Sequence, residues 1–217
     1  MKNKIILDLC GGTGSWSKPY KEAGYTVYNI TFPDYDVTKT DIKDGRYLDF
    51  LCQSFNRINL RVSVANIYGI LAAPPCTEFS IAKGAMPRNF NAGMQVVRAC
   101  LDIIWEVRKR NKLIFWAMEN PTGFLRQFIG NPPYSFQPWH FGDFYTKKTD
   151  LWGYFNKPRK SYKDRPLLVP YTRHDEHQQH LSTPKCPPEY RHLKLDRAAI
   201  RAITPRGFAL AFFKANQ

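Results

Sequence analysis

Cys76 stands directly behind two prolines in the stretch LAAPPCTEFS, at the end of a short apolar run. A thiolate nucleophile must be held at a defined attack position, and Pro74 and Pro75 fix φ and remove two N–H donors just before it. The same placement also suits a small buried thiol that closes a strand. Glu119, in WAMENPTG, ends a second apolar run and so faces the same rim as Cys76. A carboxyl there can donate to or accept from a heterocycle, or stand as a solvated loop acid. Asn120 can anchor that loop, and Pro121 ends the run. The third cluster is LDLCGGTGSW, where Asp8 precedes Gly11, Gly12 and Gly14. Glycines between a strand and a helix let a ligand approach the backbone. The dinucleotide pattern G-x-G-x-x-G fails because Ser17 takes its last glycine position, and no lysine sits in P-loop position. The spacing D-x-x-x-G-x-G suits a nucleoside-bearing cofactor without phosphate, such as S-adenosylmethionine, or a tight structural turn.

These clusters need elements to hold them. KIILDLC reads as a strand, SKPYKEAGY as a helix ended by Gly24, and YTVYNIT as a second strand. FPDYDVTKTDIKDGRYLDF reads as a loop with a short strand, and LDFLCQSFNRI as a possible helix. IYGILAA and LIFWAMEN lack alternation, as strands buried on both faces of a parallel sheet do. Between them, residues 91–110 carry Met94, Val97, Leu101, Ile104 and Val107 at helical spacing and end in basic RKRNK. Strands alternating with helices predict a three-layer α/β domain with a parallel sheet. Beyond residue 156, proline, histidine and basic residues crowd in and periodicity fades. The chain becomes helical again at LDRAAIRAITPRGFALAFFKANQ, with Thr204 expected as N-cap and Pro205 at the first helical position.

The 217 residues suit one domain with a small appendage, and 43% hydrophobic and 15% aromatic content is enough for a core. A net charge of +14 points to a polyanionic partner, nucleic acid ahead of membrane. Five cysteines with no C-x-x-C predict a reducing, cytoplasmic setting rather than a disulfide framework. The opening MKNKIILDLC is too short in its apolar part for a signal peptide, and no apolar run approaches a membrane span.

Taken in order, the three clusters resemble the DNA cytosine-5 methyltransferases. DLCGGTG is similar to that family's D-L-F-x-G-x-G, PPCTEFS to its P-P-C-x-x-F-S, and ENP to its E-N-V. AITPRGFALAFF resembles the closing segment that folds back beside the first strand. The resemblance spans nearly the whole chain, which is short for the family. It implies a Rossmann-like, S-adenosylmethionine-dependent fold: a catalytic core over 1–155, a small basic recognition insert over 156–197, and a C-terminal helix over 198–217. It also implies Cys76 as nucleophile toward C6 of cytosine and Glu119 as the holder of the N3 and N4 edge. The base must then be flipped out of a duplex. The implied cofactor contacts are Asp8, Cys10, Gly11, Gly12, Gly14, Trp16, Asp36, Val37 and Pro75. Cys10 stands where the family has phenylalanine, Trp16 is offered in compensation, and Asp36-Val37 is preferred to Asp41-Ile42 as the adenine-side pair. The ribose acid is missing from YNIT, with Asp34 displaced. Implied substrate contacts are Pro74, Phe79, Ser80, Asn120 and, in place of the family's Q-x-R-x-R, Lys147 or Lys148, each a point charge rather than a planar fork.

The insert holds His174, His177, His180 and Cys186, but H-x2-H-x2-H is not a usual zinc spacing, so no metal is expected. Its basic residues Lys157, Arg159, Lys160, Lys163 and Arg165 suit phosphates. So small an insert predicts short or relaxed sequence specificity, or help from an accessory protein, in an otherwise monomeric enzyme. Methylation of RNA or of a free cytosine nucleotide, and a non-catalytic nucleic-acid binder on the same fold, stay open.

Overall fold

The structure is a computed structural model that describes residues 4–42, 45–53, 57–166 and 184–217. Its centre is a six-stranded, mostly parallel sheet of an α/β fold. In chain order the strands are β1 (Ile5–Leu9), β2 (Thr26–Ile30), β5 (Ile67–Ala72), β6 (Phe115–Pro121), β7 (Tyr134–Phe136) and β8 (Thr149–Tyr154). They lie in the order β2-β1-β5-β6-β8-β7. The first four run parallel to one another, whereas β8 is antiparallel to both β6 and β7. The expectation of a parallel sheet therefore holds for the N-terminal part and is corrected beyond β6. The chain turns back through α3 (Leu125–Ile129) and the edge strand β7, so β8 enters beside β6 from the opposite end.

Burial on both faces explains the non-alternating strands. Ile5, Leu7 and Leu9 join the cluster under α2 (Phe90–Arg110), whose inward stripe is Val97, Cys100, Ile103, Ile104 and Val107. Ile6 points the other way, into an aromatic cluster with Trp16, Tyr20, Phe115, Phe208 and Phe212. That second layer is built from α1 (Lys18–Glu22) and α5 (Arg206–Ala215). Phe208 stacks on Phe136 at 3.9 Å between centroids, and Phe212 meets Trp16 edge-on at 5.3 Å. Such ring pairs add about 0.5–1.5 kcal/mol each beyond burial.

Two local expectations change. LDFLCQSFNRI is not a helix: Tyr47–Cys52 and Arg57–Ser63 form the antiparallel hairpin β3–β4. Leu48, Phe50 and Val62 face the core, and buried Asp49 accepts from Arg61 Nε and Nη2 of the opposite strand at 2.7 and 2.8 Å. The deciding partner lies across the hairpin, outside the segment read as helical. Likewise the C-terminal stretch forms two helices, α4 (Arg197–Ala202) and α5. Pro205 has no N–H and disfavours helical Thr204, so the break falls there and Pro205 itself takes the N-cap position. Thr204 N–H donates instead to Ser15 Oγ at 2.8 Å, which ties the break to the glycine turn. Within the insert, residues 156–166 are irregular and Pro188–Leu193 form a 3-10 turn. His174, His177 and His180 lie outside the described residues. Among the described residues no cluster of side chains could hold a metal ion, and no helix is long and apolar enough to cross a membrane.

Candidate active site

The register of three parallel strands assembles the site. Leu9 pairs with Ala72, and Ala72 with Met118. The next residues, Cys10, Ala73 and Glu119, therefore come level with one another at the carboxyl edge shared by β1, β5 and β6, where open α/β sheets bind ligands. A cleft of about 450 Å³ opens there, lined among others by Asp8, Gly11, Gly12, Cys76, Glu119 and Lys147.

The thiol loop is fixed by polar contacts on each side of Cys76. Ala73 N–H donates to Leu9 O at 2.9 Å, and Asn120 Nδ2 donates to Pro74 O at 2.9 Å. The N–H groups of Phe79 and Ser80 both turn back onto Cys76 O, at 3.0 and 2.8 Å. Glu78 then clamps the following loop, accepting from Lys83 Nζ and Asn89 N–H, each at 2.6 Å. On the far side Gly123 is required, because a Cβ there would meet Phe79 O at 2.3 Å. The two prolines thus belong to a loop held at Pro74 O and Cys76 O, and Cys76 lies on the cleft wall.

Lys147 Nζ lies 4.0 Å from Glu119 Oε1, with side chains only 7% and 13% exposed. Burial pushes the Cys76 thiol above its ordinary value; Lys147 opposes that rise, Glu119 adds to it, and Arg201 of α4 opposes it. A thiol, a carboxyl and two cations therefore share one field. The structure separates the two lysines left open by the sequence: Lys147 is buried in the site, held by its own N–H to Gln137 Oε1 at 3.0 Å, while Lys148 is exposed.

At the glycine turn, Asp8 is fully buried and accepts from Ser17 Oγ at 2.5 Å through Oδ2, while its Oδ1 has no partner. Burial raises its pKa from 3.8 to about 6 against the pull of the Ser17 bond. Gly11 packs on this carboxyl so closely that a Cβ would come within 2.4 Å of it. Gly12 and Gly14 have φ of +54° and +69°, and nothing lies within 4 Å of a Cβ built at Gly12. An orphaned buried carboxylate oxygen beside an open backbone cradle fits a ligand carrying an ammonium group and a nucleoside.

Several expected contacts fall elsewhere. Asp36 is not on the cleft wall: its carboxylate accepts from Thr38 N–H and Oγ1, capping a 3-10 turn where a short strand was expected, and Val37 is core. Asn29 and Thr31 replace the missing ribose acid with a structural task, since Asn29 Nδ2 donates to Gly12 O and Gly12 N–H to Thr31 Oγ1. Phe79 is fully buried against Phe90 and Phe128, so it supports the loop and cannot stack on a substrate. Ser80 caps the next turn by accepting from Ala82 N–H at 3.2 Å. Asn120 spends its amide on Pro74 O, which makes it a positioning residue. Trp16 lines the cleft but is locked between Phe208 and Phe212, and half-buried Cys10 sits at φ +57° with Cys100 of α2 against its thiol. Pro74 is buried and Pro75 exposed, both on the wall.

Sequence reasoning missed four residues of the site. Phe32, 66% exposed, stands at the cleft mouth just past β2. Ile203 and Thr204 close the wall from the C-terminal break, and the positive charge of Arg201 weakly favours the thiolate. An aromatic beyond a strand's carboxyl end was a usable signal for Phe32; nothing local marks Arg201. No protein-family model matches the chain, and no curated protein matches it.

Proposed function

We propose that this protein transfers a methyl group from S-adenosylmethionine to C5 of cytosine in DNA, on a methyltransferase variant of the α/β fold. One observation carries the reading: a half-buried thiol, Cys76, shares a cleft with the Glu119–Lys147 pair and with the Asp8–glycine cradle. Pyrimidine C5 is a weak nucleophile until a thiolate adds to C6, and this is the chemistry for which a thiol beside a carboxyl is suited. Lys147 favours the thiolate that burial alone disfavours. The thiolate of Cys76 forms a C–S bond to C6, and the electron pair of the C5–C6 bond moves toward C5. Glu119 binds the N3 and N4 edge and favours protonation at N3 as negative charge grows, while Lys147 keeps its carboxyl oriented. The cofactor, when bound, would supply an electrophilic methyl group on a sulfonium: C5 would bond to that methyl with its electron pair as the S–CH3 bond breaks and the sulfur leaves as a neutral thioether. Loss of the C5 proton to a base and departure of Cys76 as thiolate then restore the C5–C6 double bond. Asp8 Oδ1 would hold the cofactor's ammonium group, the Gly11–Gly14 backbone its nearby atoms, and Phe32 a flat ring at the mouth.

The test is incubation with cofactor labelled in its methyl group and, in separate tubes, duplex DNA, RNA and dCMP, followed by nucleoside analysis. Label in 5-methyldeoxycytidine from the duplex is the expected result, with Cys76→Ser giving none. Label only in RNA or dCMP refutes the DNA assignment, and an active Cys76→Ser variant refutes the mechanism.

A further inference from the structure

A second concave surface lies outside the cleft. It runs along α5 from Gly207 to Ala215 and is walled on the other side by residues 157–161, with a volume of about 770 Å³. Lys157, Arg159, Lys160 and Lys214 line it, and no carboxylate does. None of these four cations takes part in an ion pair among the described residues.

A strip of solvated lysines needs no scaffold, yet this one is pinned along its length. Asn156 N–H donates to Asn216 Oδ1 at 2.8 Å, Asn156 Nδ2 to Ala215 O at 2.9 Å, and Asn216 Nδ2 to Asn156 O at 3.0 Å. In the middle, Tyr134 OH donates to Pro158 O at 3.1 Å. At the other end, the N–H groups of Ser161 and Tyr162 donate to His140 O at 2.8 and 3.1 Å. Lys160 is half-buried, with Nζ 5.5 Å from the Tyr134 ring, and burial lowers its pKa. A cation held partly out of water without a counter-charge is a poor arrangement for stability and a good one for an anion.

We propose that this groove binds the phosphodiester backbone of the DNA whose cytosine enters the cleft. From Gly207 to Ala215 the helix rises about 12 Å. At about 3.4 Å of axis per phosphate on one strand, that length matches about four phosphates, one per cation. The α5 end of the groove adjoins the Thr204–Pro205 break that closes the cleft, so a strand can leave one for the other. A free nucleotide gains nothing from such a surface, and a polymer does. The inference rests on the cleft being a cytosine site only for the choice of DNA.

The experiment is fluorescence anisotropy of a labelled duplex over a salt series, with wild type and the variant Lys157→Gln/Arg159→Gln/Lys160→Gln/Lys214→Gln. Cofactor binding and melting temperature serve as controls for folding. The slope of log Kobs against log salt should fall in magnitude by about 3 to 4, and affinity at moderate salt by at least about tenfold, with both controls unchanged. A folded variant with an unaltered slope overturns the proposal. So does stronger groove-dependent binding to RNA, or to vesicles of acidic lipid, than to duplex DNA. Anisotropy needs no turnover, so the groove can stand where methyl transfer to cytosine fails, and the reverse.

Discussion

Two aspartates with identical burial behave as opposites. Asp150 and Asp8 are both fully buried at the carboxyl-edge end of the sheet. Asp150 accepts from Arg126 Nε and Nη2, each at 2.6 Å, from Ser135 Oγ at 2.7 Å and from Thr122 Oγ1 at 2.8 Å. Asp8 has one hydroxyl and an orphaned oxygen. The first carboxylate is closed, and it binds β8 to β7, to α3 (Leu125–Ile129) and to the turn after β6. The second is left open beside a glycine cradle. Burial by itself says nothing about function; what distinguishes a site from a structural knot is whether the protein supplies the partners itself.

The contrast breaks most visibly in stability. Arg126→Met leaves Asp150 buried without its guanidinium and should destabilise the fold by about 3–5 kcal/mol, read by denaturant titration. Asp8→Asn should do the reverse. Because the folded carboxyl titrates near 6 instead of 3.8, its favourable contribution to folding is complete below about pH 4 and fades as pH rises through 6. Removing the charge should therefore stabilise the protein by up to about 3 kcal/mol at pH 7.5, with no gain at pH 4, while cofactor binding measured by calorimetry is lost. Equal destabilisation by both variants would erase the distinction.

Glu119 lies between these extremes, facing Lys147 at 4.0 Å without a closed ion pair. Lys147→Met removes the nearest cation from the Cys76 field, so the thiol should rise further and alkylation by iodoacetamide should need a higher pH. Methyl transfer at pH 7.5 should fall by at least about tenfold. Lys148→Met, an exposed neighbour, should leave the alkylation profile where it is. The smallest effect is at Asn120: losing its bond to Pro74 should cost about 1 kcal/mol in stability, with a larger loss in kcat than in KM because the thiol loop is no longer held.

Much of this was legible in residue order. The glycine turn, the thiol loop and Glu119 each end a non-alternating apolar run, and parallel register brings such ends together. What was not legible depends on partners distant in sequence. The β3–β4 hairpin is decided by Arg61 opposite Asp49, and the antiparallel turn of β8 by the Asp150 network. Asp36 looked available for a ligand until Thr38 claimed it, and Phe79 until α2 and α3 closed over it. Arg201 bears on the thiol from α4, far along the chain from Cys76, so nothing near it in the sequence marks it.

The proposed reaction turns on a covalent bond between Cys76 and cytosine C6. A duplex containing 5-fluorocytosine tests it directly, since fluorine at C5 cannot leave as a proton and the adduct persists. With cofactor present, denaturing gels and peptide mass spectrometry should show a one-to-one protein–DNA complex attached at Cys76 and absent in Cys76→Ser. Methylation of ordinary cytosine with no trapped complex, or a complex attached at any other residue, would contradict the account.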